Sequence, residues 1–195
     1  MTSSVQGSQE SNAAPAAVRG DPRNPAQLRS LIRDIPDYPK PGILFKDITP
    51  LLADADAFAL ATGLMAEPFA GAGVTHVVAI ESRGFILGAP VAQRLGAGFV
   101  PVRKSGKLPH TKRREEYALE YGTDALEVHD DAVGAAARVL IVDDVLATGG
   151  TAAATCRLVE SLGATVVGLS FLLALTFLPG AERLRGHRVS ALLYY

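Results

Sequence analysis

The sequence predicts an α/β fold in which a parallel sheet is flanked by helices. Three segments, 75–80, 138–142 and 165–173, are apolar throughout and rich in β-branched residues, which is typical of strands buried on both faces. The first two are followed by segments with apolar residues at helical spacing, 84–95 and 151–162. Strands that alternate with helices in this way are typical of a parallel sheet.

Two further helices are predicted before this alternating region. The first covers 26–35 and the second covers about 55–69, each with apolar residues at helical spacing. Between them the run 37–42 contains two prolines. Each proline fixes φ and removes a backbone donor, so we expect the first helix to end there.

After another predicted strand at 98–102, the chain loses its apolar pattern. Residues 105–117 have no apolar period and contain several cations. Segments of this length without regular structure inside a compact domain are commonly lids or disordered. We therefore expect a flexible loop here, with Lys112, Arg113 and Arg114 in its solvated part.

The amino-terminal segment, 1–24, differs in composition from the rest of the chain. It is rich in Ser, Ala, Gln, Gly and Pro and shows no apolar period, which predicts a disordered tail. A transit peptide is an alternative, although Glu10 and Asp21 argue against it, and so is an over-long start-codon assignment. Residues 25–195 have the length of one domain.

Composition excludes some partners and sets expectations for the compartment. The chain has 195 residues, of which 19 are Lys or Arg and 20 are Asp or Glu, giving a net charge of −1. No global attraction to nucleic acid or to an anionic membrane is expected from such a balance. The longest apolar stretch, 166–175, falls short of the roughly 18 residues that a membrane helix needs. Cys156 is the single cysteine, which fits a reducing compartment, so we expect a cytoplasmic protein.

The most informative segment is 139–151, which reads VLIVDDVLATGGT. An apolar strand leads into adjacent carboxylates, a glycine-containing turn and the start of a helix. At the carboxyl end of a parallel strand, such a turn can direct backbone N–H groups and the helix dipole toward a phosphate. Thr148 and Thr151 can add hydroxyl donors. The segment therefore predicts an anion site.

The two acids in this segment, Asp143 and Asp144, need a separate explanation because a carboxylate repels a phosphate. Two carboxylates can accept hydrogen bonds from the vicinal hydroxyls of a ribose, so the whole run fits a ribose phosphate. The alternative is a tight turn whose acids favour the helix dipole. That alternative explains one acid and a glycine but leaves the rest of the run unexplained.

The run 139–151 resembles the motif that binds phosphoribosyl pyrophosphate (PRPP) in type I phosphoribosyltransferases. Four more segments resemble those of adenine phosphoribosyltransferases in particular. They are PGILFKDITP at 41–50, ESRGF at 81–85, RKSGKLP at 103–109 and YALEYG at 117–122. The resemblance is collinear from about Leu28 to Tyr195. It implies a type I phosphoribosyltransferase-like sheet with a small hood and a flexible active-site loop, and an enzyme that converts adenine and PRPP to AMP and pyrophosphate.

The resemblance also implies roles for individual residues. Catalysis is assigned to Glu120 and Arg83. PRPP binding is assigned to Asp143, Asp144, Ala147, Thr148, Gly149, Gly150, Thr151, Arg83, Arg103, Lys104, Lys107 and Tyr121. Adenine binding is assigned to Leu44, Phe45, Lys46 and Leu175. Mg²⁺ is expected as a cofactor held mainly through PRPP, and a homodimer is expected, with a basic residue near Lys107 reaching toward the neighbouring site.

The residues by themselves leave alternatives open at several of these positions. Phe45 could be an ordinary core phenylalanine, Arg83 a surface ion pair and Glu120 an exposed strand glutamate paired with a cation. One departure from the relatives is Ala174, where they commonly carry a glutamate.

Two other functions fit the same fold. A phosphoribosyltransferase for hypoxanthine, guanine or xanthine would need groups suited to a 6-oxo purine, and the segment at 44–46 favours adenine. A PRPP-sensing regulator is the alternative without catalysis. Such regulators usually carry a DNA-binding domain, which 24 polar residues at the amino end could not form.

Overall fold

The computed structural model describes residues 25–118 and 123–195, and within them a sheet of seven strands is covered by helices on both faces. The helices are α1 (Pro25–Ser30), α2 (Thr49–Ala53), α3 (Ala55–Ala66), α4 (Arg83–Leu95), α5 (Gly150–Ser161) and α6 (Gly180–Arg183). The strands are β1 (Arg33–Pro36), β2 (Leu44–Asp47), β3 (His76–Ile80), β4 (Gly98–Lys104), β5 (Lys112–Ala118), β6 (Thr123–His129), β7 (Arg138–Leu146), β8 (Thr165–Ala174) and β9 (Val189–Tyr194). None of the helices in this described part is long and apolar enough to cross a membrane.

The strand order in the main sheet is β5-β6-β4-β3-β7-β8-β9. Strands β4, β3, β7, β8 and β9 run parallel to one another, which confirms the predicted parallel core. The sheet as a whole is mixed, because β6 pairs antiparallel with β4 and β5 pairs antiparallel with β6. Outside it, β1 and β2 form a small antiparallel ribbon.

Strand β7 shows why the parallel strands are apolar throughout. Its residues Val139, Leu140, Ile141 and Val142 are all 0% exposed. Val139 and Ile141 belong to the apolar cluster that contains buried residues of α5, whereas Leu140 and Val142 belong to the cluster on the α3 and α4 side. Successive side chains of a strand point to opposite faces, so burial on both faces requires an unbroken apolar run. Each such side chain contributes roughly 1.5–3 kcal/mol through burial.

The predicted helix at 26–35 is shorter than expected. Helix α1 ends at Ser30, and Ile35 lies in β1 opposite Phe45 of β2. The residue before a proline is disfavoured in the helical region, and Ile35 precedes Pro36. The prediction was therefore wrong at the carboxyl end of this helix.

The predicted loop at 105–117 is also shorter. Residues from Lys112 onward form β5, the edge strand of the sheet, so the prediction of a loop was wrong from that point. Residues 112–116 of the strand lack apolar alternation because several of their side chains make ion pairs, whereas Tyr117 packs into the core. Lys112 contacts Glu127, and Glu115 contacts Arg157 of α5. Charged edge strands of this kind are protected against pairing with other chains.

The connection pattern leaves a crevice beyond the carboxyl ends of the paired strands β3 and β7. From β3 the chain passes through α4 to β4 on one side, and from β7 it passes through α5 to β8 on the other. Helices α4 and α5 contribute to different apolar clusters, on opposite faces of the sheet. The carboxyl ends of β3 and β7 therefore form a topological switch point, where open α/β sheets bind their ligands.

Candidate active site

A cleft of about 620 Å³ lies at this switch point. It is bounded by the carboxyl ends of β3 and β7, the turn that follows β7, and the strands β4, β5 and β6. Its lining residues are Ile80, Glu81, Ser82, Arg83, Lys104, Lys107, Tyr117, Asp124, Leu126, Asp143, Asp144, Val145, Leu146, Ala147, Thr148, Gly149, Gly150, Thr151 and Ala152. Ten of the eleven predicted PRPP residues other than Tyr121 thus face one cavity, and they come from separate parts of the chain; the exception is Arg103.

The turn after β7 is held in place by a contact with α6. Gly149 adopts a left-handed conformation with φ of 77°, and α5 begins at the next residue. A side chain on Gly149 would place its Cβ 2.7 Å from the carbonyl oxygen of Gly180. In return, a Cβ on Gly180 would lie 2.3 Å from the carbonyl oxygen of Ala147. The two backbones approach so closely that both positions require glycine.

The acid pair lies inside β7, which runs on to Leu146, and the strand does not end at the acids as the sequence suggested. Asp144 is 5% exposed and is ion-paired with the Arg83 guanidinium. Asp143 accepts a hydrogen bond of 2.9 Å from the backbone N–H of Asp144. Helix α4 approaches this pair through Gly84, where a Cβ would lie 2.9 Å from Oδ1 of Asp143.

The pKa of Asp143 is raised well above its usual value. Withdrawal of the carboxylate from water is the main cause, and the neighbouring charge of Asp144 adds to it. The positive charge of Arg83 and the hydrogen bond from the Asp144 N–H act in the opposite direction and are smaller. The site therefore holds two adjacent carboxyl groups at a cost in stability, which is typical of functional sites.

On the β4 side of the cleft, Glu81 is the centre of a cluster of cations. Its carboxylate accepts hydrogen bonds of 3.0 Å from Nε of Arg103 and 3.0 Å from the backbone N–H of Lys104, and it also pairs with Lys107. Burial acts to raise the pKa of Glu81, but the bonds from Lys107, Arg103 and the Lys104 N–H outweigh it and lower the pKa to about 2. Arg103 does not line the cleft and reaches it through Glu81.

The loop that precedes β5 is fixed at both ends by Glu127, a residue of β6 that is 2% exposed. At the start of the loop, Glu127 accepts hydrogen bonds of 3.0 Å from the Ser105 hydroxyl and 2.9 Å from the Gly106 N–H. At its end, Lys112 lies 3.0 Å from the same carboxylate. The short turn between these points carries Lys107 into the cleft.

Comparison with known proteins fits this geometry. Residues 49–181 match the model of the phosphoribosyl transferase domain family. An adenine phosphoribosyltransferase from Myxococcus xanthus is 58% identical over 170 residues, which cover 87% of this chain and 92% of that protein. The chain belongs to the adenine phosphoribosyltransferase family.

Solved structures of the family have the same fold as this phosphoribosyltransferase. The adenine phosphoribosyltransferase from Thermoanaerobacter pseudethanolicus is 52% identical, with a TM-score of 0.86 over 88% of this chain and 100% of that one. The Saccharomyces cerevisiae enzyme, solved with an imino-altritol bisphosphate and adenine, is 40% identical, with a TM-score of 0.82 over 87% of this chain and 98% of that one.

The residues predicted to bind adenine are spread over two places in this phosphoribosyltransferase. Leu44, Phe45 and Lys46 lie in β2 of the small ribbon. Phe45 is half-buried, and its ring lies 5.5 Å from the guanidinium carbon of Arg83, which links the ribbon to the cleft. Leu175 lies beyond β8 and lines a second, smaller cavity of about 250 Å³ that shares Leu146 with the main cleft.

Tyr195 connects these two places. Its ring lies 4.2 Å from the ammonium group of Lys46. Its main chain donates a hydrogen bond of 2.9 Å to the carbonyl of Ala174 and accepts one of 2.8 Å from the N–H of Thr176, which are the two neighbours of Leu175. Lys46 also pairs with Asp34 at 2.6 Å, so its side chain is engaged inside the ribbon. Ala174, where the relatives commonly carry a glutamate, therefore lies beside Leu175, a predicted contact to adenine.

Sequence reasoning missed four polar residues of the cleft in this phosphoribosyltransferase: Glu81, Ser82, Tyr117 and Asp124. The Tyr117 hydroxyl donates a hydrogen bond of 3.2 Å to Asp124, which lies 3.6 Å from the Lys104 ammonium group. Glu81 and Tyr117 were within the quoted segments but had no role assigned. Glu120 and Tyr121 lie outside the residues that the structure describes.

Proposed function

We propose that this phosphoribosyltransferase joins adenine to PRPP and releases AMP and pyrophosphate. The observation that carries the proposal is the cleft at the switch point. There an acid pair, a glycine turn at a helix N-terminus and several cations face one cavity. A sugar with vicinal hydroxyls, a terminal phosphate and a pyrophosphate requires these three kinds of group in one place.

Each part of PRPP has a proposed partner in the cleft. The 5-phosphate lies in the turn formed by Ala147, Thr148, Gly149, Gly150 and Thr151, where backbone N–H groups and the α5 dipole favour an anion. The ribose 2- and 3-hydroxyls donate hydrogen bonds to the two carboxylates of β7. The pyrophosphate takes the cations of the opposite wall. Tyr121 remains assigned to PRPP by resemblance.

The reaction is a displacement at C1 of the ribose. The C1–oxygen bond to pyrophosphate breaks, and that oxygen keeps the bonding electrons while N9 of adenine forms the new bond with inversion. Arg83, Lys104 and Lys107 offset the charge that develops on the leaving group. Glu120 takes part in removing the proton from adenine. Exclusion of water by the lid protects the ribosyl cation-like transition state.

The base is proposed to lie between the ribbon and the segment after β8. Phe45 stacks on the adenine ring from one side and Leu175 contacts it from the other, while backbone groups of Leu44 and Lys46 read its edge. Leu44 and Lys46 are two residues apart in β2, so their main-chain groups point to the same edge of the strand.

Mg²⁺ is proposed to enter with PRPP. No group of three or more His, Cys, Asp or Glu within 25–118 and 123–195 could hold a metal ion. Carboxylates of the cleft wall, such as Glu81 and Asp144, are already paired with cations. This donor set fits an ion whose main ligands are PRPP oxygens and water. When bound, Mg²⁺ offsets charge on the pyrophosphate.

The test is product formation from PRPP and Mg²⁺ with adenine, hypoxanthine, guanine and xanthine in parallel. AMP formed from adenine alone is the expected result. Product from a 6-oxo purine instead would contradict the proposed base site. PRPP binding without product from any base would favour the alternative of a PRPP-sensing regulator. No observation in the described residues argues for that alternative.

Replacing Glu120 with alanine should lower turnover with only a modest loss of PRPP affinity. General acid–base groups typically contribute roughly 10²–10⁴-fold to rate, whereas PRPP is held by other residues. The measurement is kcat together with PRPP binding by calorimetry. Glu116→Ala is the matched control, since Glu116 is an exposed glutamate of β5 that pairs with Arg114. Unchanged turnover in Glu120→Ala would exclude the role.

We further propose a homodimer formed through the face of α4 and β4. Phe85 and Phe99 make an edge-on ring contact at 5.9 Å, and Phe99 and the nearby Ile86 are 38% and 45% exposed. Arg103 lies 6.0 Å from the Phe85 ring, so this apolar face adjoins the cation cluster of the cleft. A second copy of the chain would cover the face and bring its own basic loop near this site.

We also propose a cytoplasmic location for the protein.

Sedimentation should show a dimer for the wild-type protein and a monomer for Ile86→Asp. A charge at this position would have to be desolvated in the interface, which is costly. Phe177→Asp is the control, because Phe177 is 74% exposed and lies outside the α4 and β4 face. A monomeric wild-type protein, or dissociation by both variants, would refute the assignment of this interface.

A further inference from the structure

Every cation that faces the cleft among the described residues is already paired with a carboxylate. Arg83 pairs with Asp144, and Lys104 lies 3.6 Å from Asp124. Lys107 pairs with Glu81, which also holds Arg103. The positive charge proposed to bind pyrophosphate is therefore offset before any substrate arrives.

Glu81 differs from the other acids of the cleft in how it is bound. Its side chain is 10% exposed, and its two oxygens receive the Arg103 guanidinium, the Lys107 ammonium group and the Lys104 N–H. Two oxygens surrounded by a guanidinium, an ammonium and a backbone N–H is the environment that a phosphoryl group takes in an anion site. The Glu81 carboxylate thus binds these cations in the way that a phosphate group would.

Glu81 is also charged in the ligand-free protein. Burial acts to raise its pKa, yet the three donors together lower the pKa to about 2. The carboxylate is therefore ionised when pyrophosphate arrives at the same cleft. Two anions cannot share these donors fully, so the carboxylate and the pyrophosphate must compete for them.

We propose that Glu81 is a resident counter-anion that exchanges with pyrophosphate for Arg103 and Lys107. Between turnovers it keeps both side chains at the cleft wall. When pyrophosphate binds, its oxygens replace the carboxylate on these cations. When pyrophosphate leaves, Glu81 takes them back, which weakens product binding and speeds release. The inference rests on the proposed function, because it assigns this wall to pyrophosphate.

The experiment measures the affinity and release rate of magnesium pyrophosphate for the wild-type protein, Glu81→Gln and Glu81→Asp. Glu81→Gln removes the competing charge, and we expect pyrophosphate to bind about tenfold more tightly, the effect of losing one charge-assisted interaction from the competing state. Release should slow by a similar factor, and kcat should fall wherever release limits turnover. Glu81→Asp keeps the charge but has a shorter reach, so its affinity should lie between the other two.

Glu115→Gln is the matched control. Glu115 also pairs with an arginine, Arg157, but it does not line the cleft, and its loss should leave pyrophosphate affinity unchanged. If Glu81→Gln fails to fold, the comparison of pyrophosphate affinity between Glu81→Asp and the wild-type protein still tests the proposal. Weaker or unchanged pyrophosphate binding in both Glu81 variants would overturn it and leave Glu81 as a support for Arg103.

The same titrations separate this inference from the proposed function. A wild-type protein that binds neither PRPP nor pyrophosphate would overturn both. A wild-type protein that binds both ligands and makes AMP, with no tightening in Glu81→Gln, would overturn the exchange alone.

Discussion

Replacing Asp143 and Asp144 together with asparagine is expected to abolish PRPP binding. The proposed ribose hydroxyls would lose two carboxylate acceptors, and hydrogen bonds to charged groups contribute roughly 1.5–3 kcal/mol each. A loss of at least about a hundredfold in affinity follows. Arg83 would also lose its partner at Asp144. Calorimetric titration with PRPP measures the effect directly, without relying on turnover.

The single variant Asp143→Asn should lose affinity yet gain stability. Burial and the charge of Asp144 raise the pKa of Asp143 in the folded state, so its ionised form destabilises the fold. This destabilisation is fully present above the raised folded-state pKa and is absent below the pKa of the unfolded state. Asparagine removes the charge and can still accept the Asp144 N–H bond. Urea unfolding at neutral pH should therefore show a higher free energy of unfolding than the wild-type protein. Asp130→Asn, at an exposed ion pair with Arg113, is the control for both measurements. Intact PRPP binding in the double variant would show that Asp143 and Asp144 do not bind PRPP.

Replacing Gly149 with alanine is expected to weaken PRPP binding by about tenfold or more. The N–H groups of the turn would be displaced, and the loss of one or two hydrogen bonds to PRPP has an effect of this size. The new Cβ would lie 2.7 Å from the Gly180 carbonyl oxygen, so the turn or α6 must move. The left-handed conformation adds a further cost of roughly 1–2 kcal/mol for a residue with a Cβ. The measurements are PRPP affinity and the thermal midpoint.

Gly186→Ala separates the two causes. Gly186 has a φ of 96°, and a Cβ there would meet nothing within 4 Å. This variant should lose stability through its backbone conformation but keep its PRPP affinity. Equal PRPP affinity in Gly149→Ala and Gly186→Ala would mean that the contact with Gly180 does not shape the turn.

The buried strands could be predicted because burial on both faces leaves a signal in the sequence itself. Residues 139–142 of β7 are apolar in succession, and no partner has to be known to recognise them as a strand. Strand β5 gives no such signal, since Lys112 and Glu115 are satisfied by Glu127 and Arg157 from other elements. Strands β1 and β2 are only four residues long and depend on each other.

The same distinction applies to the cleft. The turn and the acid pair are adjacent in sequence, so their chemistry could be inferred from one segment. Glu81 could not be assigned a role in this way, because Arg103 comes 22 residues later and reaches it only when β3 and β4 pair. Resemblance supplied the candidates for the base, whereas the link between Lys46, Tyr195 and the segment around Leu175 depends on the tertiary fold.

The attachment of the loop at Glu127 sets the cost of closing the active site. Because Ser105, Gly106 and Lys112 are all held by one buried carboxylate, only 107–111 lies between the two attachment points. The conformational entropy lost on closure grows with the number of residues that become ordered. A lid tethered at both ends therefore orders few residues in each catalytic cycle, and it can close over the substrate and reopen without unzipping β5 from β6.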